Sequence, residues 1–196
     1  MCPIRVSDLL AGRHRVGNAG ELVAALVVTV FTHGNSSSAS SAGGDNMVAY
    51  PVGHRPAAPD FTATSLTGTP INFASYRGKI VVLNIWGSWC APCVSEGQTL
   101  KYLDEEYGPQ GIAFLGDDLQ DTPVQALAFL RSAGITYPSV NDANGAVVQR
   151  LAIAVPISAT PTTLVIDKTG HIAGVIDGAV TYPDMTTLLR DAAVTQ

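Results

Sequence analysis

The run Lys79-Ile-Val-Val-Leu-Asn-Ile-Trp86 is almost continuously apolar. A strand with one face in water alternates polar and apolar residues, whereas a strand covered on both faces does not, so this run belongs in the middle of a buried sheet. Ala91 to Tyr107 reads as a helix, ended by Gly108 and Pro109, and Gly111 to Gly116 (Gly-Ile-Ala-Phe-Leu-Gly) reads as the next strand. Strand, helix, strand is a βαβ unit, which pairs its strands in parallel through a right-handed crossover.

The surrounding segments extend the same plan. Asp60 to Phe73 holds two short β-prone runs around Thr67-Gly68 and predicts a β-hairpin ahead of the central strand. Thr122 as N-cap, Pro123 at the first helical position and a stripe of Ala126, Leu127 and Leu130 predict a helix that stops at Gly134. Asn144 to Ala152 predicts a short helix. Thr160 to Gly178 predicts two strands about the turn Lys168-Thr169-Gly170, and Pro183 to Val194 a closing helix. The expected fold class is therefore α/β over residues 51–196, a central mixed β-sheet flanked by helices on both faces with an N-terminal β-hairpin extension. With 46% hydrophobic and 14% charged residues in a 196-residue chain, there is enough apolar material for a core of that size.

Residues 1–50 read differently. Arg13, His14 and Arg15 precede the apolar run Leu22 to Thr32, which gives way to a Ser/Gly-rich stretch. The run is shorter than the roughly 20 apolar residues that a membrane span needs, and it suits an export signal followed by a flexible tether. Ser38, Ala39 and Ser40 offer small residues for a signal peptidase. Glu21 abuts the run, and Cys2 lies on the wrong side of it to anchor a lipid. The expected location is extracytoplasmic, either released or attached at the outer face of the cytoplasmic membrane. A buried core helix with a loop is the competing reading. The net charge of -5 argues against a polyanionic partner such as nucleic acid.

Two of the three cysteines, Cys90 and Cys93, stand directly behind the central strand. A structural zinc site needs four ligands, and neither a second cysteine pair nor suitably spaced histidines exist among His14, His33, His54 and His171. A purely structural disulfide across two residues closes almost no chain and stabilises little. A dithiol at a helix N-terminus remains, where the helix dipole and free N–H groups favour a thiolate on the first cysteine. Cys90 is then the nucleophile and Cys93 the resolving thiol.

Trp89-Cys-Ala-Pro-Cys93 after a buried strand, together with Ala159-Thr-Pro-Thr-Thr-Leu-Val-Ile-Asp167, resembles the thioredoxin-like superfamily. More closely, Ala58 to Glu96 resembles the TlpA/ResA/CcmG group of exported thiol-disulfide oxidoreductases, and the resemblance extends to Ala193. It implies a cis Thr160-Pro161 bond beside the dithiol, forming with Trp89 a docking surface for an extended substrate segment. It also implies a membrane thiol transporter as electron donor and apocytochrome c as a client in cytochrome c maturation; a monomer with neither a cofactor nor a metal is expected.

The departures from that pattern are specific. Val94 replaces a basic residue and Gln98 a helix-kinking proline, while Glu96 is kept. Asn84 stands where cytoplasmic thioredoxins carry a buried aspartate. Glu96, one helical turn after Cys93, is therefore the expected group for proton traffic or thiol tuning, against the alternative of a solvated helix residue. Trp86 is expected in the core and His171 exposed. Ala91 and Pro92 bring no charge to Cys90, which favours a disulfide reductase over an exported disulfide-forming oxidase. A peroxiredoxin-like peroxidase would need threonine where Gly87 stands, and a copper chaperone would need a wider cysteine spacing and a partner histidine such as His171.

Overall fold

The computed structural model describes residues 46–194. Of the predicted export signal and tether over residues 1–50, residues 1–45, Cys2 among them, lie outside the described residues, whereas residues 47–49 are not tether but an edge strand of the sheet.

The described chain runs β1 (Met47–Ala49), β2 (Thr62–Thr64), β3 (Pro70–Asn72), β4 (Val81–Trp86), α1 (Ala91–Tyr107), β5 (Ala113–Leu119), α2 (Pro123–Ala133), β6 (Ser139–Asp142), α3 (Ala146–Leu151), β7 (Thr162–Ile166), β8 (Ile172–Asp177) and α4 (Tyr182–Ala193). The helix starts are locally encoded. Thr122 Oγ1 accepts from Gln125 N–H ahead of α2, and Thr181 Oγ1 accepts from Asp184 N–H ahead of α4; each is followed by a proline in the first turn, where no N–H is required. α2 ends on Gly134, whose φ of +68° is the left-handed conformation that favours glycine.

Six strands form one mixed sheet in the order β1-β8-β7-β4-β5-β6. β4, β5 and β6 are parallel; β7, β8 and β1 add antiparallel neighbours on the other side of β4. All six residues of β4 are buried, as its continuous apolar character requires. Successive residues serve opposite faces. Val81, Leu83 and Ile85 pack with Leu115, Val140 and α3's Leu151, whereas Val82 packs with Phe114, α1's Leu100 and Leu103, and α4's Met185 and Leu188. The antiparallel pair β2-β3 docks on the edge of the sheet, where Leu66 N–H donates to Ser139 O at 2.9 Å.

Two features are not apparent in the sequence. β5 runs on past Gly116 through Asp117 and Asp118 to Leu119, although a strand there is expected to end at Gly116. The backbone of β5 pairs with β4 and β6 along this stretch whatever its side chains carry, so two carboxyls are drawn into the interior. The second feature is a buried ion pair. Arg55 Nη1 lies 2.9 Å from Asp167 Oδ2, and the same guanidinium donates to the carbonyls of Val194, at 3.1 Å, and Asp191, at 2.7 Å, at the end of α4. It ties the segment before β2 to the β7-β8 turn and to the last turn of α4, where a cation meets the negative end of the helix dipole. Among the described residues no helix is long and apolar enough to cross a membrane.

The register around β4 prepares the site. Ile85 pairs with Thr162, so the N-terminal end of β7 stands beside the C-terminal end of β4. Segments far apart in sequence, Gly87 to Cys93 and Ser158 to Pro161, therefore meet at one edge.

Candidate active site

Cys90 is the N-cap of α1. Its backbone is extended, with φ -91° and ψ 108°, and its sulfur accepts the N–H of Cys93 at 3.2 Å, the place usually filled by a Ser, Thr or Asp oxygen. Pro92, which has no N–H, occupies the first turn, and Val94 N–H donates to Cys90 O at 3.2 Å. A sulfur so placed faces a free backbone donor and the positive end of a 17-residue helix, both of which favour a thiolate there. In the structure the two sulfurs are joined in a disulfide, with an S–S distance of 2.06 Å.

Both cysteines are largely covered, at 4% and 2% exposure, and the surface beside them is uncharged. Ala91, Pro92 and Val94 are exposed, and Trp89 is 56% exposed. Trp89 is nonetheless fixed. Its Nε1–H donates to Leu119 O at 3.1 Å, and its ring folds over Gly87, where an added Cβ would lie 2.5 Å from Nε1. The glycine in the place of a peroxidase threonine thus leaves the space that this indole fills. The loop is pinned further by Asp121, which accepts from Ser88 N–H at 2.8 Å and Thr122 N–H at 2.7 Å.

From the other side come Thr160 and Pro161, joined by a cis peptide bond, with the Thr160 carbonyl oxygen 3.5 Å from Cys90 Sγ. Sequence reasoning named Trp89, Cys90, Cys93, Thr160 and Pro161, and the fold brings all five to this edge.

Glu96 lies behind, on the buried stripe of α1 that runs Cys93, Glu96, Gly97, Leu100, Leu103. It is 2% exposed, so the solvated-residue alternative does not hold. Asn84 Nδ2 donates to its Oε1 at 2.9 Å and Val180 N–H to its Oε2 at 2.8 Å. Burial nevertheless outweighs these two bonds and raises its pKa to about 7. A small internal cavity of about 10 Å³ lies on the inner side of Cys93, lined by Asn84, Trp86, Leu100 and Tyr137 among others. Trp86 is buried as expected, in one cluster with Cys90 and Cys93, its ring centroid 5.0 Å from that of Phe129.

Sequence reasoning missed Asp117 and Asp118 at the C-terminal end of β5. Asp117 is buried and raised well above the usual carboxyl range, by burial first and then by Asp142 and Asp118. Asp118 is raised to about 7 by burial and by Asp121 and Asp142. His171 is half-buried rather than exposed, its Nδ1 2.8 Å from Thr169 Oγ1. Among the described residues no group of three or more His, Cys, Asp or Glu is arranged to hold a metal ion.

Residues 55–175 match the model of the AhpC/TSA family. The chain belongs to the AhpC/TSA family. Among the relatives of this AhpC/TSA chain is the thiol-disulfide oxidoreductase ResA of Geobacillus kaustophilus, 35% identical over 128 residues, which cover 65% of this chain and 71% of that one. The ResA of Bacillus subtilis is 29% identical over 124 residues, 63% of this chain and 67% of that one. Among solved structures, a secreted thiol-disulfide isomerase from Corynebacterium glutamicum superposes with a TM-score of 0.71 at 33% identity, covering 79% of this chain and 96% of that one. A DsbF homologue from Corynebacterium diphtheriae gives a TM-score of 0.69 at 36% identity, over 77% and 96%. The thioredoxin-like fold that the resemblance implies is thus shared with thiol-disulfide oxidoreductases of known structure.

Proposed function

We infer that the protein is a thiol-disulfide oxidoreductase acting on disulfide-containing proteins, as a reductase, through Cys90 and Cys93. The observation that carries this reading is the N-capping sulfur of Cys90, held by Cys93 N–H at 3.2 Å and joined to Cys93 in a disulfide. In the reduced protein the Cys90 thiolate attacks one sulfur of a partner disulfide. The partner S–S bond breaks, a mixed disulfide forms, and the sulfur that leaves takes up a proton. Cys93 then gives its proton to Glu96 and attacks Cys90 Sγ, which closes the Cys90-Cys93 disulfide and expels the partner's second sulfur as a thiolate that takes up a proton from solvent. Two electrons pass to the partner, and the protein ends in the oxidised state seen here. Trp89, Thr160 and Pro161 line the surface on which the partner lies.

The electron donor on this reading is a membrane thiol transporter, and apocytochrome c, whose paired haem-attachment thiols must be reduced, is the client. The working domain expected over residues 51–196 takes in β1 (Met47–Ala49) as well, which pairs with β8, and it acts as a monomer placed outside the cytoplasm by the segment ahead of it, in keeping with the secreted relative from Corynebacterium glutamicum. A second reading, an exported disulfide-forming oxidase, uses the same cysteine pair with the electron flow reversed. The uncharged surroundings of Cys90, with Val94 after the pair, favour the reductase.

Cells expressing a Cys93→Ser variant test the function directly, because the mixed disulfide on Cys90 then cannot be resolved. Isolation of disulfide-linked partners with paired cysteines supports the reading. A variant that accumulates no such adduct, in cells where the wild-type protein cycles between redox states, contradicts it.

A further inference from the structure

Asp177, the last residue of β8, faces Thr162 directly across the β7-β8 ladder. Its carboxylate meets two hydroxyls. Ser158 Oγ donates to Oδ2, and Thr162 Oγ1 lies 2.9 Å from Oδ1 and 2.8 Å from Ala159 O, one proton shared between two acceptors. The next residue continues the attachment, since Gly178 N–H donates to Pro161 O at 2.8 Å from a left-handed conformation with φ +116°. Residues 158–162 are thus held from both ends by the tip of β8. Between those ends is the Thr160 carbonyl, 3.5 Å from Cys90 Sγ.

Pro161 is buried and Ile157 packs against the core, whereas Ser158 and Ala159 between them are exposed, and among the described residues Asp177 and Thr162 are the only side chains that hydrogen-bond these two. That exposed stretch is ordered by these few contacts. Charge-assisted hydrogen bonds are the strong ones, and a carboxylate that accepts from hydroxyls on either side of a loop holds the backbone between them. On the docking surface proposed above, a polypeptide disulfide lies along this backbone beside Cys90, whereas a low-mass disulfide has no chain to lay there.

We propose that Asp177 is a positioning residue for polypeptide substrates, setting the Ser158–Thr162 segment against Cys90 by accepting from Ser158 and Thr162. It acts through that segment and touches no reacting atom. The proposal rests on disulfide exchange at Cys90 and adds a determinant of substrate class: disulfides carried in a chain depend on Asp177, and low-mass disulfides do not.

The experiment compares reduction of insulin with reduction of hydroxyethyl disulfide by the full chain, in wild type and in Asp177→Ala, Asp177→Asn, Ser158→Ala and the Ser158→Ala/Asp177→Ala double variant. Without Asp177 the Thr162 hydroxyl keeps Ala159 O as its acceptor, so loss of the Ser158 bond sets the scale, and Asp177→Ala is expected to lower kcat/KM for insulin about tenfold, chiefly through KM, and to leave hydroxyethyl disulfide within about twofold. Asp177→Asn, whose amide still accepts from Thr162 and donates to the Ser158 oxygen, recovers most of the loss. The double variant is no worse than Asp177→Ala, because both changes break one contact. Equal losses on both disulfides, no loss on either, or additive losses in the double variant would overturn the proposal. Should Asp177→Ala fail to fold, Ser158→Ala and Asp177→Asn carry the same comparison. A Cys90→Ser control that still reduces either disulfide refutes the exchange reading itself, whatever Asp177 does.

Discussion

The side-chain amide of Asn84 donates to the carboxylate of Glu96 at 2.9 Å, in the interior, one helical turn from Cys93. The central strand holds an amide where the helix supplies the acid, so the buried carboxylate of this site is delivered from α1 instead of β4. Asn84 Nδ2 also lies 3.0 Å from Thr163 Oγ1 on β7, which fixes the amide in place.

Glu96 should therefore impose a pH dependence. Its pKa is raised to about 7 by burial, above the usual value, so its contribution to stability is full below about pH 4.5 and is lost as pH rises through about 7. Glu96→Gln removes that loss. Thermal unfolding of the oxidised protein should show a smaller drop in Tm between about pH 5 and pH 8 in the variant than in wild type. The rate of mixed-disulfide resolution, which rises through about pH 7 in wild type as Glu96 becomes able to accept a proton, should flatten. A variant with an unchanged pH profile for both would contradict the role.

Cys90 carries the helix N-cap and Cys93 the first turn, so the first cysteine should react as the nucleophile. Alkylation of the reduced protein by iodoacetamide across a pH series, read by peptide mass, should label Cys90 first at neutral pH. Faster labelling of Cys93 would reverse the assignment.

Gly87 and Trp89 should behave as one unit. A Cβ on Gly87 would stand 2.5 Å from Nε1 and 2.6 Å from Cε2 of the indole, so Gly87→Ala drives the ring off the Leu119 carbonyl. Loss of that bond is worth about 1 kcal/mol, so reduction of a protein disulfide is expected to fall roughly fivefold. Trp89→Ala should cost no more when Gly87→Ala is already present. Additive losses would show that the ring is not what Gly87 accommodates.

Arg55 should matter for stability and not for chemistry. Arg55→Met leaves Asp167 buried without its cation and the carbonyls of Asp191 and Val194 without a donor, a change expected to cost about 3–5 kcal/mol in urea unfolding. Cys90 alkylation, on the far side of the sheet's strand ends, should keep its wild-type rate. The Asp167 carboxyl is held below its usual range: burial pushes it up, but bonds from Thr169, Arg55 and His171 prevail, so this stabilisation is present at neutral pH and lost in acid.

Much of this was legible because it is local. The N-cap at Thr122, the proline that follows it and the stop at Gly134 are set by residues within one turn, and the position of Cys90 at the start of α1 belongs to the same class. The burial of Glu96 was not, because the groups that enclose it come from β4 and from the segment after β8. A hint existed: Glu96 falls on the same helical stripe as Cys93, Leu100 and Leu103. Asp117 and Asp118 were opaque for a different reason. Two acids in a row read as the end of a strand, whereas neighbouring strands on both sides hold the backbone of β5 and carry its carboxyls inward. The Asp177 contacts to Ser158 and Thr162 depend on the antiparallel register of β7 and β8, which no local pattern specifies.

The direction of electron flow is the central claim, and the reduction potential of the Cys90-Cys93 couple tests it most directly. Trp86 shares a buried cluster with both cysteines and reports their state by fluorescence as the protein is equilibrated in graded glutathione buffers. A strongly oxidising couple needs unusual stabilisation of its first thiolate, and here Ala91, Pro92 and Val94 supply no positive charge while Glu96 lies buried one turn away. The predicted potential is nearer the roughly -270 mV of thioredoxin than the roughly -120 mV of a strong disulfide oxidant. A value more oxidising than about -180 mV would contradict the reductase and favour an exported disulfide-forming oxidase.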